Sequence, residues 1–285
     1  MTAHGDSLAQ PQTPWHAGTS QGELAPWRAG PPARGRVVLT DWMAGWSESV
    51  DHAHRELCSY VAGLAEVATT PRVETVRRWL VLDWLLRAAS PRWLRAAGLM
   101  EHATALRSCG ATGSPAALTA AEPVVTAAAQ AAHRAHETAW YALAERAHPD
   151  AQDPDRARTW MAVVDGTQAA ARCAWTLVEP AARATGYTIQ PQGGPVAWHA
   201  ALDAITNAAA SITWNAAQQV TSQPSWSWNA RPATARALAY TAARTALAPT
   251  EAAVQGAVCE LISMMFSIAE PSPPPPTSGP NSRIR

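Results

Sequence analysis

A chain in which alanine fills 64 of 285 positions, while leucine, isoleucine, valine and phenylalanine together supply only 43, has few folds open to it. Alanine is the strongest helix former, and its methyl group lets helices approach closely while enclosing little apolar area. Fourteen tryptophans accompany it. Each indole buries on the order of 200 Å² and carries an N–H that needs an acceptor, so tryptophan is the natural filler between alanine-lined rods. The expected fold is all-α, an irregular bundle or stack of about eight or nine helices with no strand. Low aliphatic content signals disorder only when net charge is high, and here 22 basic residues, all arginine, balance 22 acidic ones.

That balance also leaves no electrostatic footprint for nucleic acid or an anionic membrane. Cys58, Cys109, Cys173 and Cys259 form no C-x-x-C pair and read as reduced thiols, which implies a cytoplasmic protein. The densest apolar run, Trp79 to Leu86, is too short to span a bilayer and carries Asp83.

Proline divides the chain. Residues 1–40 hold Pro11, Pro14, Pro26, Pro31 and Pro32 without helical periodicity, and residues 271–285 are proline-rich. Both read as disordered arms around a single helical domain at 41–270, with a sub-boundary available at 110–118. Inside that domain, Ser47 opens a helix to about Ala68, and Thr70 with Pro71 opens another that ends near Ala89. Ser90 and Pro91 start a short helix closed by Gly98, and Thr119 with Glu122 caps a long one that ends before Pro149. Asp153 with Pro154 begins the next, toward Gly186 with a bend at Pro180. Leu202, Ile205, Ala209, Ile212 and Ala216 form the apolar stripe of a helix over 196–220, and Pro232 and Pro249 open two final helices. The form W-x-A-x-x-[DE] recurs at Trp140, Trp160 and Trp198; five residues along a helix turn by about 140°, which places ring and carboxylate on different faces.

Two stretches, Arg78 to Arg107 (RWLVLDWLLRAASPRWLRAAGLMEHATALR) and Ala246 to Met264 (ALAPTEAAVQGAVCELISM), resemble an uncharacterised group of bacterial alanine- and tryptophan-rich helical proteins. The resemblance implies an all-helical cytosolic protein. It carries no activity and no functional residues, and the leucine, isoleucine and proline of the intervening region depart from the group's more regular repeats.

Asp83 lies in a segment that is apolar on nearly every face, so a buried ion pair with Arg87, one turn on, is expected. His133, His136 and Glu137 project from one side of a helix at spacings that suit a metal, and Asp51 with His54 has the acid-x-x-His spacing of the ligands in di-iron bundles. His136 also falls in the inward stripe of its helix. Trp226, Trp228 and Asn229 sit in a proline-flanked loop, SQPSWSWNARP; in an extended segment both rings point the same way and make either an aromatic clamp or a plug for the end of the core. Phosphate-binding, nucleophile-elbow, zinc-protease and prenyl-diphosphate motifs are absent from the sequence.

The first functional expectation is a non-enzymatic protein that binds a macromolecular partner, another protein, as adaptor, scaffold or immunity-like factor, with self-association open and no cofactor. The second is a helical-bundle metalloprotein or oxidoreductase holding iron, manganese or zinc at the His133, His136 and Glu137 cluster with Asp51 and His54. Nucleic-acid binding through Arg77, Arg78, Arg87, Arg92 and Arg95 ranks third.

Overall fold

The computed structural model describes residues 71–147, 153–189 and 195–268, and every element among them is helical. They are α1 (Pro71–Trp84), a π-helical turn (Leu85–Ala89), α2 (Ser90–Ala96), α3 (Met100–Ser108), α4 (Pro115–Ala147), α5 (Pro154–Ile189), α6 (Pro195–Thr221) and α7 (Pro232–Ser267). The all-α expectation holds for these residues, and no helix among them is long and apolar enough to cross a membrane. The arms at 1–40 and 271–285 and the helix expected over 47–68 lie outside the described residues.

The helix ends follow the chemistry of the sequence at some points and correct the reading of it at others. Ser90 is not an N-cap. It has helical dihedrals, and its backbone N–H reaches Leu85 five residues back, so α1 passes through the wide turn into α2 as one rod. A proline in a helix collides with the carbonyl four residues earlier, and a π-turn just before Pro91 moves the carbonyls aside without breaking the rod. The Ser90 hydroxyl adds a bond to the same Leu85 carbonyl at 2.8 Å.

Gly98 ends this rod as expected. With φ at 81°, it lets its own N–H reach the Arg95 carbonyl and the Leu99 N–H reach the Leu94 carbonyl, the paired bonds of a Schellman close. α4 begins earlier than Thr119 and Glu122 suggest. Ser114 caps it, accepting from the Ala117 N–H, with Pro115 in the first turn, and the Thr119 hydroxyl bonds back to the Pro115 carbonyl. Asp153 caps α5 through the N–H groups of Asp155 and Arg156. Neither Pro180 nor Pro249 ends its helix: α5 runs to Ile189, and Pro249 lies inside the single helix α7. Buried Leu247 and Val254 anchor α7 on both sides of the proline, so packing outweighs the one lost backbone bond.

Alternate helices pair. Contacts of His136 with Asn207 and of Trp140 with Trp214 run in rising order, so α4 and α6 point the same way. Thr159 with Ala230 and Asp165 with Arg236 show the same for α5 and α7. α6 packs against α2, α4, α5 and α7. It is therefore buried on almost every face from Ala200 to Ala217, not along a single stripe. Its hydroxyls survive burial by bonding back along the helix, Thr206 to the Asp203 carbonyl and Thr213 to that of Ala210.

The core divides in two. The larger cluster joins Val81, Leu82, Leu85, Leu86, Trp93 and Leu94 to Leu106, Leu118, Val125, Ile205, Leu247, Val258 and Leu261. It runs across 110–118, since Leu106 and Leu118 both belong to it. The smaller cluster holds Leu143, Val163, Val164, Trp214 and Ala217, with Trp140, Trp160, Trp226 and Trp228 packed on it. Tryptophan fills space in both, as the composition implies: Trp84 and Trp93 lie in the first with Trp79, Trp175 and Trp198 packed on it, and indoles make up a larger share of the smaller second cluster.

At one place α5 and α7 touch through backbone alone. A Cβ on Gly166 would overlap the Arg236 carbonyl oxygen and stand 3.2 Å from its carbon. Glycine permits that approach, and the exposed Asp165–Arg236 pair sits beside it.

Candidate functional site

The loop between α6 and α7 is built from turns. The Trp226 N–H bonds the Gln223 carbonyl at 2.9 Å, the Ala230 N–H bonds that of Ser227 at 3.0 Å, and the Asn229 N–H donates to the Ser227 hydroxyl. Ser222 and Gln223 bond back to α6 and Arg231 accepts from Ala235 of α7, while the Thr159 hydroxyl on the Ala230 carbonyl, at 2.8 Å, ties the loop to α5 and Arg146 on the Ser222 hydroxyl ties it to α4. Ser222 to Ser225, Ser227 and Asn229 are exposed, while Trp226 and Trp228 are half-buried.

The two rings touch, meeting edge to face at 80° with centroids 5.5 Å apart, and both pack on the smaller core cluster. Trp228 continues onto Trp160 (6.3 Å), Trp160 onto Trp140 (5.3 Å), and Trp140 onto Trp214 (4.8 Å). Five indoles, from α4, α5, α6 and the loop, thus form one chain of contacts that ends at the surface. Trp226 is its outer member, and its shielded indole N–H finds no acceptor among the described residues. Trp93, fully buried in the larger core, is in the same position.

Sequence reasoning singled out Trp226 and Trp228 but not the rings beneath them. A signal existed: Trp140 and Trp160 stand at equal distances from position 150, as partners across a turn between two helices would.

The histidine cluster does not gather. His136 is buried in the seam between α4 and α6, where its Nδ1 lies 3.1 Å from Asn207 Oδ1. The Asn207 amide nitrogen is committed to the Asp203 carbonyl, so its oxygen faces the imidazole and Nδ1 is the protonated nitrogen that donates. Burial holds the His136 pKa below 6.5, against the opposing influence of the Asn207 bond. His133 is exposed and pairs with Glu137 at 3.5 Å, outside the seam. No three His, Cys, Asp or Glu side chains come together to hold a metal among the described residues, and Asp51 and His54 lie beyond them.

Asp83 and Arg87 are neighbours, but the pair is not a buried one. Arg87 Nε is 3.6 Å from Asp83 Oδ1, and the side chains remain 33% and 24% exposed. The partners at hydrogen-bonding distance are the backbone N–H and hydroxyl of Thr112, at 2.9 and 3.2 Å, so the carboxylate ties the loop before α4 to α1. The arginines of the third reading are dispersed. Arg77 is buried with Nε on the Met265 carbonyl, Arg92 bonds the Ala88 carbonyl, and Arg95 is exposed. Burial pushes the Cys109 and Cys259 thiols above their ordinary pKa, the reverse of an activated nucleophile.

Set beside known proteins, the chain matches no family model, no curated protein and no solved structure.

Proposed function

We propose that this is a non-enzymatic, cytoplasmic helical protein that binds another protein, as an adaptor, scaffold or immunity-like factor, through the loop carrying Trp226, Trp228 and Asn229. One observation carries the reading: an exposed loop holds two tryptophans half-buried on three more, and the outermost indole donor is left without an acceptor among the described residues. Tryptophan is the residue that most often anchors a protein interface, because it combines large apolar area with a directional donor and few torsions. Several charged side chains elsewhere are engaged in caps, seams and surface pairs, such as Asp153, Arg77 and Arg158 with Asp155.

The test is to capture partners from native lysate with the full chain, then titrate the purified pair. Replacing Trp226 and Trp228 by alanine together should weaken the measured Kd by about a hundredfold or more, with helical circular dichroism retained. Unchanged affinity in a folded double variant refutes the assignment of the loop.

A further inference from the structure

We propose that residues 222–231 are a removable strap, and that the indole surface they cover is a groove for a partner's peptide that brings an aromatic side chain. This deepens the partner-binding reading and rests on it.

The attachment of the segment is the first reason. Its turn bonds, Trp226 to Gln223, Ala230 to Ser227 and Asn229 to Ser227, are internal and move with it. At its two ends Ser222 and Gln223 bond carbonyls of the last turn of α6, and Arg231 accepts from Ala235 of α7. Between those ends its ties to other helices are the Thr159 hydroxyl on Ala230 and, at the rim, Arg146 on Ser222. The floor, by contrast, is fixed: Trp160 stands on α5, Trp140 on α4 and Trp214 on α6, each in ring contact with the next. Lifting the strap therefore exposes a preformed aromatic surface and not a collapsed one.

The second reason is the Trp226 donor. Its N–H is shielded from water, yet has no acceptor among the described residues. A closed strap forgoes that bond, and an opened strap recovers it from water or from an incoming carbonyl. The imbalance biases the segment toward opening in a way that a fully satisfied plug would not.

The third reason is that the strap itself shows what the floor accepts. Trp228 fits against Trp160, with a second ring two residues before it on the same short segment. A competing peptide needs the same feature, an aromatic ring for the Trp160 face. Because strap and ligand use one surface, the closed strap lowers apparent affinity by the fraction of time it is shut.

A synthetic peptide of residues 223–230, carrying a fluorophore, serves as the probe. It should bind the full chain with Trp226 and Trp228 both replaced by alanine about tenfold more tightly than it binds the wild type, and a version of the peptide with alanine for both tryptophans should not bind. Hydrogen exchange on the complete protein gives a reading that does not depend on that variant folding. Thr159→Val removes one tether and should speed exchange at the Trp226 and Ala230 amides about fivefold, with α6 amides unchanged. Trp226→Phe removes the unmet donor and should slow it. Failure of the peptide to bind a folded double variant, or strap amides that exchange no faster than those of α6, overturns the proposal. If a captured partner binds the wild type while the strap stays shut, only this inference falls; if the strap opens and takes the peptide but no partner depends on Trp226 and Trp228, the functional reading falls instead.

Discussion

Gly166→Ala and Gly256→Ala are the same substitution in the interior of two long helices, and the structure gives them opposite signs. Gly256 is exposed, with nothing within 4 Å of where its Cβ would stand. Alanine there lowers the conformational freedom of the unfolded chain and should stabilise by about 0.5–1 kcal/mol. The Gly166 Cβ would meet the Arg236 carbonyl, a backbone atom fixed in α7 that cannot swing away. Relieving the overlap means parting α5 and α7 by roughly 0.5–1 Å over one turn, which forfeits a quarter to a half of each dispersion contact there. Over about 30–40 atom pairs of ~0.15 kcal/mol, that amounts to about 2 kcal/mol, in the usual range for overpacking. Subtracting a helix-propensity gain of about 1 kcal/mol leaves Gly166→Ala destabilised by about 1 kcal/mol, and the two variants about 2 kcal/mol apart. Urea unfolding followed by circular dichroism measures both, at unchanged m-value. If the two midpoints move together, the close approach of α5 and α7 is not as described.

Three further results are expected. The His136 pKa is depressed in the folded state, so its contribution to stability is complete above pH 6.5 and is lost as pH falls through the folded-state value. The unfolding midpoint should drop as pH falls below about 6.5, and His136→Gln should flatten that drop; an identical slope in the variant would mean that other groups cause it. Asp83→Ala should cost about 1–3 kcal/mol through the lost Thr112 bonds, and Arg87→Ala under about 1 kcal/mol, because the ion pair is partly solvated; equal losses in thermal unfolding would place the weight on the ion pair instead. Trp93→Phe should cost less than about 1.5 kcal/mol, since removing the unmet N–H offsets much of the lost area, while Trp93→Ala should cost about 3–5 kcal/mol. Comparable losses from the two, by chemical denaturation, would show that the indole donor is satisfied.

The fold class was legible because alanine and proline act locally. A Gly98 close and an Asp153 cap need only a few neighbouring residues, and both stand where the local chemistry places them. The errors came where tertiary packing overrides a local signal. Pro91 and Pro249 each look like a helix start, yet burial on both sides carries the helix past them. The α6 stripe was recognised, but its extension to a nearly all-round apolar surface follows from neighbours on several sides, and no periodicity within one helix records how many neighbours it has.

The candidate site was half legible. The loop tryptophans stood out because nothing helical explains them, whereas Thr112, the main partner of Asp83, lies 29 residues away and has no sequence mark. His133 and His136 share a spacing but not an environment: one faces water and the other a seam formed by Asn207, 71 residues on.

The enclosure of α6 bears on how the chain emerges from the ribosome. The faces of α4 and α5 that α6 covers are synthesised first, and at ordinary translation rates the span from residue 115 to 221 takes on the order of 5–20 s. Until that central helix arrives, two long alanine-rich rods are left with their apolar sides open, and α7, whose packing spans α5 and α6, follows later still. Co-translational collapse is therefore late in this protein. Nascent chains stalled before residue 195 are the species that should need a holding chaperone, and full-length chains released from the ribosome should not.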